Sequence, residues 1–134
     1  VLEHHERNEM YELKVCTRFA AAHQLRMVTE KCENLHGHNW KVELCVAGDE
    51  LAGSGVLIDF GIIKKYLAEI IERLDHKFLN EIPQFSGGNP SSENIATYIA
   101  HAFEEKIRNH GNGIRVSKVS VWESDDACAT YIPQ

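Results

Sequence analysis

Three histidines carry the reactive potential of this sequence. His36 and His38 sit in the run Cys32-Glu33-Asn34-Leu35-His36-Gly37-His38, and His23 lies a short way upstream. Alternate side chains of an extended strand leave on the same face, so His36 and His38 project together. If His23 folds against them, three imidazole nitrogens converge and a fourth tetrahedral position stays open. That is the ligand set of a catalytic zinc site. The same nitrogens also admit iron, nickel or copper. Cys32, close by and not needed as a ligand, is then a candidate acid/base group.

Each of these residues also has a plainer reading. A lone histidine on a strand is more often packed or solvated than ligating, and His101 and His110 are read that way. Cysteine is often a small buried hydrophobe, although Lys31-Cys32-Glu33-Asn34 is too polar for a core segment. Asp75-His76 falls where a helix ends, so the imidazole either meets the helix dipole or, oriented by the carboxylate, relays protons. Glu123 closes an apolar strand. It is a strand-end charge or a carboxylate matched to a flat ring with paired N–H donors.

The elements that must position these groups follow from periodicity. Tyr11, Leu13, Val15, Thr17 and Phe19 alternate with polar neighbours, and the same parity reaches His23. A second strand from about His38 puts Trp40, Val42, Leu44 and Val46 on one face. Asp59 is a plausible N-cap for a helix whose apolar set is Ile62, Ile63, Tyr66, Leu67, Ile70, Ile71 and Leu74. Ser91 or Ser92 caps a second helix with Ile95, Ile99, Phe103 and Ile107 inward, ending near Gly111. Arg115 to Glu123 and Ala127 to Ile132 alternate again. The order strand, strand, helix, helix, strand, strand predicts an α+β fold, an antiparallel sheet with both helices on one face.

At 134 residues the chain forms one domain, here taken as 10–134 after a tail at 1–9. A net charge of −6 without a basic stripe argues against nucleic acid. No apolar run approaches the roughly 20 residues of a membrane span, and no secretory signal is seen. The four cysteines lack C-x-x-C spacing, so reduced thiols and a cytoplasmic location are expected.

Taken as an ordered set, several segments resemble the 6-pyruvoyltetrahydropterin synthase family, specifically its bacterial 6-carboxy-5,6,7,8-tetrahydropterin synthase branch. They are Phe19-Ala20-Ala21-Ala22-His23-Gln24-Leu25, Cys32-x-x-x-His36-Gly37-His38, Val56-Leu57-Ile58-Asp59-Phe60, Leu74-Asp75-His76, Asn89-Pro90-Ser91-Ser92-Glu93-Asn94 and Val121-Trp122-Glu123-Ser124. The resemblance implies the tunnelling fold, a four-stranded antiparallel sheet with two helices that assembles into an oligomeric barrel. Such proteins are typically homohexamers, a dimer of trimers, with active sites between subunits. It further implies Zn2+ on His23, His36 and His38, proton transfer by Cys32 and by His76 with Asp75, and pterin binding by Glu123. The implied substrate is 7,8-dihydroneopterin triphosphate, converted to 6-carboxytetrahydropterin with loss of triphosphate and acetaldehyde, on the way to queuosine.

The three-residue gap between Cys32 and His36 resembles that carboxy-forming branch. Glu33 beside Cys32 also matches relatives that cleave the side chain to 6-hydroxymethyl-7,8-dihydropterin for folate. Formation of 6-pyruvoyltetrahydropterin is a further alternative. A structural zinc site would instead need Cys32 as fourth ligand, and a zinc hydrolase would act on esters or amides without Cys32. Arg26, Lys31 and Lys77 are candidate cations for the triphosphate.

Overall fold

The computed structural model describes residues 9–26, 34–110 and 113–134. Two long strands lead the chain: β1 (Tyr11–His23) and β2 (His36–Gly48) pair antiparallel from Tyr11↔Gly48 to His23↔His36. Alternation sorts their faces as expected. Val15, Phe19, Ala21 and His23 of β1, with Trp40, Val42, Leu44 and Val46 of β2, point into the core.

The first helix, α1 (Phe60–Glu72), starts where Asp59 accepts the Gly61 N–H. The second, α2 (Ser92–Ile107), starts where Ser91 Oγ accepts the Asn94 N–H. These side chains satisfy amides that the first turn leaves without intrahelical partners. Both helices bury their apolar stripes in one core with the inward faces of the strands, and Ile63, Ile70, Ile95, Ile99 and Phe103 are fully buried there. The final hairpin is β4 (Arg115–Ser124) and β5 (Ala127–Tyr131). The second helix ends at Ile107, short of the expected stop near Gly111, which lies outside the described residues.

One expectation is corrected. Among the described residues the sheet is five-stranded and mixed, not four-stranded and antiparallel: β3 (Lys77–Phe78) lies between the helices in sequence and pairs parallel to β1 at Ala21 and Ala22. The order is β3-β1-β2-β4-β5. A two-residue strand is too short to show alternation. What creates it is the chain's return from α1, where Asp75 Oδ1 accepts the Ala20 N–H at 2.9 Å and the His76 N–H reaches the Ala20 carbonyl. His76 adopts a φ of 59°, the left-handed region that non-glycine residues avoid at a cost of order 1–3 kcal/mol. Both backbone groups of Ala20 are thus used to hold the Asp75-His76 pair at the sheet edge.

Among the described residues, no helix is long and apolar enough to cross a membrane.

Candidate metal and active site

The end of the β1–β2 hairpin is where the histidines meet. His23 and His36 face each other across the two strands, and His38 follows His36 on the same face. The three rings pack edge to face, with centroids 5.0 Å (His23–His36), 5.2 Å (His23–His38) and 4.4 Å (His36–His38) apart. Trp40 forms the floor, edge-on to His23 at 5.0 Å and to His38 at 5.2 Å. Its indole N–H is bonded to the Ala21 carbonyl, and its ring stacks on Phe19. That packing fixes the rotamers of the histidines above it.

Glu123 completes the cluster from β4. The β4–β5 register shifts between Trp122 and Ser124, so Glu123 sits in a bulge. Such irregularities re-aim a side chain at a sheet rim. Here Glu123 shares the core-side parity of Val121 and reaches the histidines: its Oε2 is 3.0 Å from His23 Nε2 and 3.2 Å from His38 Nε2. One ligand atom from each of His23, His36, His38 and Glu123 lies within 4.8 Å of all the others.

These atoms fit a metal ion. Tetrahedral ligands at zinc bond lengths of about 2.0–2.1 Å are separated by roughly 3.3 Å, close to the Glu123 contacts. His23 is completely buried, and its Nε2 makes no well-directed hydrogen bond despite the nearby carboxylate. A buried polar atom so placed lacks a partner that a cation would supply. Its other nitrogen is occupied: Nδ1 donates to the Pro90 carbonyl at 2.8 Å. His36 Nδ1 likewise donates to the Asn34 carbonyl at 2.7 Å. Backbone acceptors at Nδ1 leave the Nε2 lone pairs facing inward, the usual outer support of ligating imidazoles.

Asp75 and His76 form a separate unit. His76 Nδ1 is 3.0 Å from Asp75 Oδ2, and its side chain is 81% exposed. It lines a groove with Ala20, Ala22, Gly37 and Asn39, and His38 of the histidine cluster lines the same groove. The Ala20 amide, before other contributions, holds the Asp75 carboxyl below the usual aspartate range, and His76 acts in the same direction.

Cys32, Glu33 and Lys31 lie outside the described residues. Arg26 and Lys77 line separate grooves. His101 and His110 engage Tyr131 and Tyr66, consistent with packing roles. Sequence reasoning did not assign the Pro90 and Asn34 carbonyls. Backbone acceptors carry no residue-type signal, although Asn89-Pro90 stood in one of the family-like segments.

The family model described as 6-pyruvoyl tetrahydropterin synthase matches residues 12–134. The chain belongs to this family. The chain is 35% identical over 109 residues to the dihydroneopterin monophosphate aldolase of Pyrococcus furiosus, covering 81% of this chain and 85% of that protein. It is 30% identical over 129 residues to the 6-carboxy-5,6,7,8-tetrahydropterin synthase of Bacillus subtilis, covering 92% and 86%. The 6-pyruvoyl tetrahydropterin synthase of Caenorhabditis elegans shares the fold, with a TM-score of 0.82 at 22% identity over 97% of this chain and all of that one. The domain is accordingly an enzyme of the pterin-processing, lyase type found in this family.

Proposed function

We propose that this chain is a zinc-dependent 6-carboxy-5,6,7,8-tetrahydropterin synthase acting on 7,8-dihydroneopterin triphosphate. The observation that carries the metal part of this reading is the convergence of three imidazoles and the Glu123 carboxylate around one point. The choice of product rests on the Cys32 spacing and on relatives such as the Bacillus subtilis protein.

His23, His36 and His38 would hold the zinc. When bound, it supplies Lewis acidity toward the hydroxyls of the pterin side chain. Cys32 takes and returns protons at the side-chain carbons, as a thiol suits when cations favour its thiolate. His76 serves as the second acid/base group. Asp75, bonded to Nδ1, keeps its ring oriented and leaves Nε2 for proton exchange. Glu123 binds substrate, and its carboxylate meets the part of the substrate that faces the histidines.

The site is taken to be completed by a second subunit, as the family resemblance implies. Supporting this, among the described residues the outer edge of β1 pairs with a strand only at Ala21 and Ala22 and with the Asp75-His76 turn at Ala20, so residues 11–19 present an open strand edge. Tyr11, Leu51, Val56 and Phe60 are exposed hydrophobics along one groove. Open edges and apolar patches of this kind are normally covered. A homohexameric barrel in the cytoplasm is the assembly proposed.

A second reading is side-chain cleavage to 6-hydroxymethyl-7,8-dihydropterin, favoured by the similarity to the Pyrococcus furiosus aldolase and by Glu33 next to Cys32.

Metal dependence is tested by chelation. Purified protein carrying about one zinc per chain should convert the triphosphate, lose turnover on chelation and regain it with Zn2+. Full turnover of metal-free protein would refute the reading.

A further inference from the structure

The chain just past His23 is held by side chains where a strand would otherwise lie. Asn80 accepts the Gln24 N–H at 2.9 Å and donates Nδ2 to the Gln24 carbonyl at 2.7 Å. Asn89 repeats the pattern on Arg26, accepting N–H at 2.8 Å and donating to the carbonyl at 2.7 Å. Backbone groups two residues apart in extended chain face the same edge, so the two carboxamides mimic a neighbouring strand.

Asn89 is also the residue before Pro90, whose carbonyl takes the His23 Nδ1–H at 2.8 Å. The Asn89 carbonyl in turn accepts Asn94 Nδ2 at 2.7 Å, and the Asn94 amide is tied to Ser91 at the start of α2. The Pro90 carbonyl is therefore fixed between two anchors, the helix start and the chain leaving His23.

We propose that Asn89 is a positioning residue for the metal centre: by fixing the Pro90 carbonyl it sets the tautomer and ring plane of His23. This rests on the metal reading above. With Pro90 holding the Nδ1 proton, the Nε2 lone pair faces His36 and His38. With Pro90 displaced, the ring is free to carry its proton on Nε2 or to rotate, and either change removes a ligand.

The test compares the unaltered chain with Asn89→Asp and Asn89→Ala. Metal-free protein is titrated with Zn2+ against a chromogenic chelator, and Co2+ is bound to read ligand geometry from its visible absorption. Outer-support changes of this kind typically cost about 10- to 100-fold in affinity. That loss is expected in both variants, with a shifted Co2+ spectrum and little change in the melting point of the metal-free protein. Asn80→Asp slackens the same stretch without touching the Pro90 turn and should leave affinity and spectrum unchanged. Unaltered affinity and spectrum in the Asn89 variants would overturn the inference alone. An equal loss in Asn80→Asp would overturn it too, by showing that any slackening of residues 24–26 suffices. Absence of metal binding by the unaltered chain would instead overturn the metal reading, and this inference with it.

Discussion

Glu123 Oε2 lies 3.0 Å from His23 Nε2, although one residue is in the strand bulge near the C-terminus and the other ends the first strand. The contact puts a carboxylate in the same small volume as three imidazoles, within reach of any cation they hold.

Replacing Glu123 tests what that carboxylate contributes. In Glu123→Gln the side chain keeps its size and loses its charge. Zinc should still bind, more weakly, while turnover falls by about 100-fold, the scale of a lost acid/base or charge-stabilising group. His23→Ala should abolish zinc binding altogether. Metal content and initial rates read both, and unchanged turnover in Glu123→Gln would remove that residue from the reaction.

Cys32→Ala distinguishes catalytic from structural zinc. A catalytic site holds its metal through the histidines and loses only proton transfer. About one zinc per chain should therefore remain, with turnover down by roughly 10²- to 10⁴-fold. Loss of zinc together with loss of the thermal transition would mean that Cys32 is a structural ligand.

Acid should loosen the Asp75-His76 unit. The Ala20 amide bond lowers the Asp75 carboxyl below its ordinary value of 3.8. A depressed folded-state value means stability that is present above 3.8 and lost as pH falls through the folded value. The melting-point gap between the native chain and Asp75→Asn should thus be largest near neutrality and shrink below about pH 4. A gap independent of pH would show that the charge contributes nothing.

The Asp59 cap and the core serve as controls for fold without chemistry. Asp59→Ala should cost about 0.5–2 kcal/mol, and Leu67→Ala, at a fully packed α1 position, about 2–5 kcal/mol. Denaturant unfolding measures both, and zinc affinity should be unaffected in each. Weakened zinc binding in either would show that the site depends on general packing.

Much of this arrangement was legible in the sequence because it follows local periodicity. The parity that runs from Tyr11 through Phe19 places His23 on the face predicted for it, and His36 and His38 share a face for the same reason. The caps at Asp59 and Ser91 were readable from residue type beside an apolar repeat. The parts that were not legible join distant residues through groups without a signature. His23 meets the Pro90 carbonyl across 67 positions, and any residue offers a carbonyl. Strand β3 has two residues and so no period. Alternation puts Glu123 on the core face with Val121, but that its carboxylate meets the histidines depends on β4 lying beside β2, a long-range pairing with no local signal.

The decisive measurement is mass spectrometry of the pterin formed when zinc-loaded protein is incubated with 7,8-dihydroneopterin triphosphate. A 6-carboxytetrahydropterin product, released with acetaldehyde and triphosphate, is expected. Exclusive formation of 6-hydroxymethyl-7,8-dihydropterin would contradict it and transfer the chemistry to the folate-type cleavage.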